Sequence, residues 1–175
     1  MYIMVQRSIP SLFAVIEVFF QEPTKIHFIK EISREIKLAH TSVRNIIKYL
    51  EKNHIIVKKK SKPFDGYTAD RENEDFIFYK KAYNIYSLKD ITREIVNSVY
   101  PSAIVLFGSY SRGEDVESSD IDIFVLSKAK KEINVSPFEK SLKRKINIMT
   151  LDRIEKLDEL IRKKINNGTV LHGEI

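Results

Sequence analysis

Phe107-Gly108-Ser109-Tyr110-Ser111-Arg112-Gly113 and, after a polar crossing, Ser119-Asp120-Ile121-Asp122-Ile123-Phe124-Val125-Leu126 are the stretch on which the reading of this chain turns. Ala103–Phe107 is apolar and β-branched, the pattern of a buried strand. Gly108 ends that strand with a residue that lets an anionic group approach the backbone, and Ser109 adds a hydroxyl donor. Tyr110–Gly113 reads as the first turn of a short helix, whose free amides face anionic oxygens. Arg112 is placed to pair with a phosphate or with a loop carboxylate. The second apolar run carries two carboxylates at alternate positions. Strand alternation puts Asp120 and Asp122 on one face, about 7 Å apart along the chain. Two such groups can share a magnesium ion, which accepts carboxylate and phosphate oxygens together. Phosphate-binding amides and metal-binding carboxylates in one loop-and-strand unit point to nucleoside triphosphate chemistry.

Gly108-Ser109, then ten residues, then Asp120-Ile121-Asp122 resembles the signature of the nucleotidyltransferase superfamily that includes DNA polymerase beta. The likeness is greatest to its minimal nucleotidyltransferases, and Ser111-Arg112-Gly113 and Ser119 agree with that pattern as well. The resemblance covers residues 100–175. It implies a small α/β domain with a mixed sheet and helices on one side. It also implies magnesium and an NTP, with ATP as the expected nucleotide. By the same resemblance Gly108, Ser109, Arg112 and Ser119 bind the nucleotide, and Asp120 and Asp122 bind metal and act in catalysis. Minimal nucleotidyltransferases often serve as antitoxins that modify a partner toxin, so a protein target is implied too.

Farther along, Ser136-Pro137-Phe138-Glu139 has the residues of a helix start, and Lys145-Ile146-Asn147-Ile148-Met149 reads as a third strand. Thr150-Leu151-Asp152 is expected to begin a last helix, carrying Ile154, Leu157, Leu160, Ile161 and Ile165 and stopped by Asn167-Gly168. In the family this third strand usually bears a third catalytic aspartate, in a segment like Lys-Val-Asp-Leu-Val. Here Asn147 stands in its place. An asparagine orients a ligand through its carbonyl oxygen, but it carries no charge and takes no proton at neutral pH. Two-metal catalysis is therefore expected to be weakened, while the metal that accompanies the nucleotide phosphates is retained.

Ahead of this unit lies a segment of different character. Ser8-Ile9-Pro10 is expected to open a helix with Leu12, Val15, Ile16 and Phe19 on one face. Lys25–Phe28 reads as a short strand, and Ile29, Ile32 and Ile36 mark a second helix. A third helix buries Val43, Ile46, Ile47 and Leu50 and turns Ser42, Arg44, Asn45, Lys48 and Lys52 outward. Ile55–Lys60 reads as a strand, Pro63–Gly66 as a turn and Tyr67-Thr68 as a return strand. Three helices followed by a basic hairpin resemble the winged helix-turn-helix family. That resemblance implies duplex DNA as a partner, read by Ser42, Arg44, Asn45 and Lys48 and gripped by Lys58, Lys59, Lys60 and Lys62.

The expected fold class is α+β: a winged helix-turn-helix over 1–73, connecting helices over 74–99 and a nucleotidyltransferase-like domain over 100–175. Phe76, Tyr79, Tyr83 and Tyr86 form an aromatic stripe expected to join the two halves or a homodimer, and Ser87–Asp90 resembles a capping box. The 175 residues carry a formal net charge of +6 and no cysteine, which excludes disulfides and thiolate metal sites. The four histidines show no ligand spacing, so zinc is not expected. No apolar run is long enough to span a bilayer, and a cytoplasmic protein is expected. Three functions stay open at this point. One is an enzyme that transfers a nucleoside monophosphate to a protein or nucleic-acid hydroxyl. Another is a DNA-binding regulator whose nucleotide-binding domain has lost catalytic power. The third is an interaction module such as a non-enzymatic antitoxin.

Overall fold

A computed structural model describes residues 2–129 and 131–174. The chain divides into two compact units, Met1–Phe78 and Tyr79–Ile175.

The first unit begins with α1, Tyr2–Gln21. The helix starts earlier than Ser8, and Pro10 lies inside it rather than in its first turn. Val15, Val18 and Phe19 recur at helical spacing and are buried, which sets the inward face. Two shorter helices follow, α2 (Ile29–Glu35) and α3 (His40–Lys52). Their inward residues are Ile32 on α2 and Val43, Ile47 and Leu50 on α3. The unit closes with a hairpin in which β1 (Ile56–Lys59) pairs antiparallel with β2 (Gly66–Ala69). The strand expected over Lys25–Phe28 contracts to a single bridge. His27 and Tyr67 exchange backbone hydrogen bonds of 2.7 and 2.9 Å. The buried His27 ring meets Phe19 edge-on at 5.0 Å, tying this bridge to α1.

Helix α4 spans Glu74–Ser87. Its buried line is Phe76, Lys80 and Asn84, four residues apart, while Tyr79 and Tyr86 of the expected aromatic stripe are exposed. The helix forms as expected, but apolar character alone does not give its inward face, because two of the inward residues are polar. The Ser87 hydroxyl donates to the Asn84 carbonyl at 2.7 Å. The cap of α5 (Lys89–Val99) is instead Leu88, which has no side-chain hydrogen bond, so the expected capping box does not form.

The remainder of the second unit is a four-stranded sheet with its helices. In chain order come β3 (Ala103–Phe107), α6 (Gly108–Arg112), β4 (Ile121–Leu126), α7 (Ser136–Leu142), β5 (Ile146–Leu151), a 3₁₀ turn at Ile154–Lys156, α8 (Glu159–Asn166) and β6 (Thr169–Gly173). The strand order is β5-β4-β3-β6. β3 runs antiparallel to both β4 and β6, and β4 runs parallel to β5, so the sheet is mixed. Helices cover both faces rather than one. Ile91, Ile95 and Val99 of α5 and Phe138 of α7 pack with Ile104, Ile121, Ile123 and Val125. Leu157, Ile161 and Ile165 pack on the other side with Val105 and Phe124. The sequence already contained the reason. Ala103–Leu106 is apolar without alternation, and both faces of β3 must be buried.

Thr150 and Leu151 continue β5, paired with Val125 and Leu126, and do not start the last helix. That helix waits for Asp158, whose carboxylate accepts from the Ile161 amide at 2.9 Å. The edge strand β6 was not anticipated in the sequence reading.

Candidate nucleotide and metal site

The site forms where β3 ends beside the start of β4. Phe107 is the register partner of Asp122, so the chain leaves β3 directly alongside that carboxylate. Gly108 is then the residue the geometry demands. Its φ is +79°, a region side chains rarely adopt, and an added Cβ would lie 2.7 Å from Asp122 Oδ2. Ser109, half-buried, follows in the short helix α6. Ser111 and Arg112 both turn back on this loop, donating to the Gly108 carbonyl at 2.8 and 3.0 Å. Arg112 Nε also donates to Glu114 at 2.7 Å, so its guanidinium holds the loop through a carboxylate. Gly113, at φ +74°, terminates the helix.

Asp120 immediately precedes β4, and Asp122 is its second residue. Asp122 pairs in register with Asn147 of β5. The Asn147 amide lies between the two carboxylates, its Nδ2 donating to Asp120 Oδ2 at 3.2 Å and to Asp122 Oδ1 at 3.1 Å. Asp120, Asp122 and Asn147, which stands at the third catalytic position of the family pattern, are thus brought together. Asp120 and Asn147 are exposed and Asp122 is half-buried. Among the described residues neither carboxylate has a cationic partner, so two negative charges share a neutral amide. That donor set suits a hard cation. No cluster of three or more histidine, cysteine, aspartate or glutamate residues occurs among the described residues. Asn147 presents its amide nitrogen to both carboxylates, and its carbonyl oxygen would face a cation between them only with the amide turned over.

Ser119 also has a structural contact within the crossing. Its hydroxyl accepts from the Val116 amide at 2.9 Å and closes the turn that delivers Asp120. Four further residues support the loop, and the sequence reading missed them. Asp115, in the polar crossing, is completely buried with Lys80 Nζ at 3.0 Å and Arg144 Nη2 at 3.2 Å. Asn84 Nδ2 donates to its other oxygen at 2.7 Å. Burial pushes the Lys80 ammonium below its ordinary value, against the opposing pull of Asp115. The signal available beforehand was the spacing Phe76, Lys80, Asn84, a helical face with two polar members.

A concavity lies at the other end of β4. It encloses about 540 Å³ and is lined by Ser127, Lys128, Lys131, Asp152, Arg153 and Lys156. None of the residues expected to bind nucleotide lines it. Asp152 accepts from Lys156 at 2.6 Å, and that bond holds its carboxyl below the usual range.

In the first unit, Arg44, Asn45 and Lys48 are exposed on α3, and Ser42 is half-buried. Lys58 and Lys59 lie on β1, with Lys60 and Lys62 just beyond it, and all four are exposed. Lys58 forms an ion pair of 2.9 Å with Asp65 across the hairpin. That bond raises the Lys58 ammonium and lowers the Asp65 carboxyl.

Compared with known proteins, residues 85–172 match the model of the nucleotidyltransferase domain. No curated protein matches the chain. Two solved structures are similar to it. One, described as a toxin–antitoxin with AMP-PNP, is 22% identical at a TM-score of 0.40, covering 49% of this chain and 73% of that one. The other, a mutant of the toxin–antitoxin MntA-HpeT, is 19% identical at a TM-score of 0.39, covering 49% and 72%.

Proposed function

The chain belongs to the nucleotidyltransferase domain family, and on that premise we propose that it transfers a nucleoside monophosphate from an NTP to a hydroxyl group. The observation that carries this reading is the conjunction at Gly108. The backbone lacks a side chain where it passes Asp122, and Asp120 and Asp122 face the same space without a cationic partner. In this reading the Gly108-Ser109 backbone and the Ser109 hydroxyl hold the triphosphate, and Arg112 keeps their loop in shape. Asp120 and Asp122 hold magnesium, which neutralises the phosphate oxygens and orients them when bound. The acceptor hydroxyl attacks the α-phosphorus, a new P–O bond forms, the bond to the β-phosphate breaks, and pyrophosphate leaves. ATP is the expected donor, and a protein hydroxyl the acceptor implied by the resemblance to minimal nucleotidyltransferases.

Catalysis of this kind is mainly positioning and charge neutralisation. Asn147 takes no proton, so the acceptor's proton goes to solvent or to a group on the acceptor. Loss of a general base commonly costs on the order of 10²–10⁴ in rate. The test is incubation with α-labelled ATP and magnesium in the presence of cellular protein and RNA, for the wild type and for Asn147→Asp. Label transferred by either, and lost with Asp120→Asn/Asp122→Asn, supports the proposal. Absence of transfer by both variants refutes it.

A second reading is favoured by the first unit. Three helices followed by an antiparallel hairpin, with His27 bridged to the return strand, are consistent with a winged helix-turn-helix over residues 1–73. The exposed Arg44, Asn45 and Lys48 of the third helix and the lysines of the hairpin are the side-chain types that read base edges and hold phosphates. In this reading the protein is a DNA-binding regulator or antitoxin whose nucleotide site senses rather than consumes its ligand, which Asn147 favours. Duplex binding that weakens steeply with salt, and weakens further when Lys58, Lys59 and Lys60 are neutralised, is the expected result. Binding indifferent to both changes contradicts it.

A further inference from the structure

The second unit contains one buried charged cluster that no step of the proposed reaction uses. Asp115 and Lys80 have side-chain exposures of 0% and 1%, and Arg144 is 6% exposed. Buried ion pairs of this kind add little net stability over a well-packed apolar group of the same size. Stability alone therefore does not account for three charged side chains placed here, and their contacts point elsewhere.

Two members of the cluster, Asn84 and Arg144, also reach the backbone beside a site residue. Asn84 Nδ2 donates both to Asp115 Oδ1 and to the carbonyl of Tyr110, two residues after Gly108. The Tyr110 hydroxyl is hydrogen-bonded to Ser87 at 3.0 Å, so that residue is held at backbone and side chain from the same helix. Arg144 Nη1 donates to the carbonyl of Val116, whose amide is the one that Ser119 accepts in the turn before Asp120. Arg144 itself stands three residues before Asn147 on the approach to β5. One carboxylate thus links the phosphate loop, the strand entry carrying Asp120 and the strand carrying Asn147. Bonds to a charged, water-excluded group are directional and strong, and apolar contacts would fix the same segments less narrowly.

We propose that Asp115, with Lys80, Asn84 and Arg144, forms a positioning cluster that fixes the Gly108–Arg112 loop against Asp120 and Asp122, so that triphosphate and metal are held in one arrangement. The inference rests on the nucleotide site described above, and its test separates the two.

The experiment compares wild type, Asn84→Ala and Ile95→Val, the last trimming one methyl from a fully buried residue of α5. Two quantities are measured for each: affinity for magnesium-ATP by calorimetry, and hydrogen exchange of the amides of residues 108–122 in the nucleotide-free protein. Asn84→Ala is expected to bind magnesium-ATP about tenfold more weakly, the size of one lost hydrogen bond to a charged group. Its 108–122 amides should exchange faster, while Ile95→Val keeps wild-type values in both. Wild-type affinity and exchange in Asn84→Ala, or an equal change in Ile95→Val, overturns the proposal. If wild type binds no magnesium-ATP, the nucleotide reading falls, and exchange alone decides the positioning role by the same comparison. Should Asn84→Ala fail to fold, Ser87→Ala, which removes the hydroxyl bonded to Tyr110, is read in the same way.

Discussion

Asp115 and Asp120 lie five residues apart in one crossing, yet their surroundings are opposites. Asp115 is buried, with Lys80, Arg144 and Asn84 filling its coordination. Asp120 is exposed and shares only the Asn147 amide with Asp122. The inner carboxylate has its charge compensated by the protein itself. The outer pair has charge left over. In physical terms the inner cluster is held by its own partners, whereas the outer one leaves room for the cation proposed above. The contrast separates residues that shape the site from residues that use it, and both kinds are aspartates in the same short loop.

The sharpest way to break this contrast is to remove each carboxylate in turn. Asp115→Ala takes from Lys80 and Arg144 the buried carboxylate they share, and should cost about 3–5 kcal/mol in urea unfolding. Asp122→Asn removes repulsion from an accessible pair and should change stability by no more than about 0.5 kcal/mol. Similar costs for the two would erase the distinction. Gly108→Ala should come next, at about 2 kcal/mol. It combines a positive φ with a Cβ that displaces Asp122, so nucleotide binding should fall together with stability.

Asn147→Asp sharpens the comparison from the other side. A third carboxylate in the open cluster should lower metal-free stability by about 1 kcal/mol, and magnesium should restore more than that loss. Thermal unfolding with and without magnesium reads both effects. A variant indifferent to magnesium would show that the outer cluster is not a cation site.

The smallest effect concerns pH. Burial holds the Lys80 ammonium below its ordinary 10.5, so the folded state binds that proton less tightly than the unfolded chain. Stability contributed at this site therefore rises with pH between the folded-state value and 10.5. Lys80→Met should abolish that rise, and a wild-type slope in the variant would assign it to other groups.

The two clusters were not equally legible in the sequence. Gly108-Ser109 and Asp120-Ile121-Asp122 were visible because a strand end, a glycine and alternating carboxylates obey local rules. Asn147 was found because strand register carries a motif from one chain segment to the next. Asp115, Lys80, Asn84 and Arg144 were not found: four-residue spacing puts Lys80 and Asn84 on one helix face, but Lys80, Asn84 and Arg144 lie 35, 31 and 29 positions from Asp115 and no local pattern points to it. The same limit explains α4. Its aromatic residues looked like the inward face, but the satisfied polar pair Lys80 and Asn84 took that place. It also explains β6 and the second helical layer. The second layer follows from β3 being buried on two faces, whereas β6 pairs along its edge, and the sequence states the burial without naming what provides it.

Calorimetric titration with ATP, with and without magnesium, on wild type and on Asp120→Asn/Asp122→Asn, tests the central claim most directly. That claim is that Gly108, Ser109, Asp120 and Asp122 hold a metal-bound triphosphate. The account predicts binding by the wild type that requires magnesium and disappears in the double variant. Equal binding by the two proteins, or binding unchanged when magnesium is chelated, would contradict it.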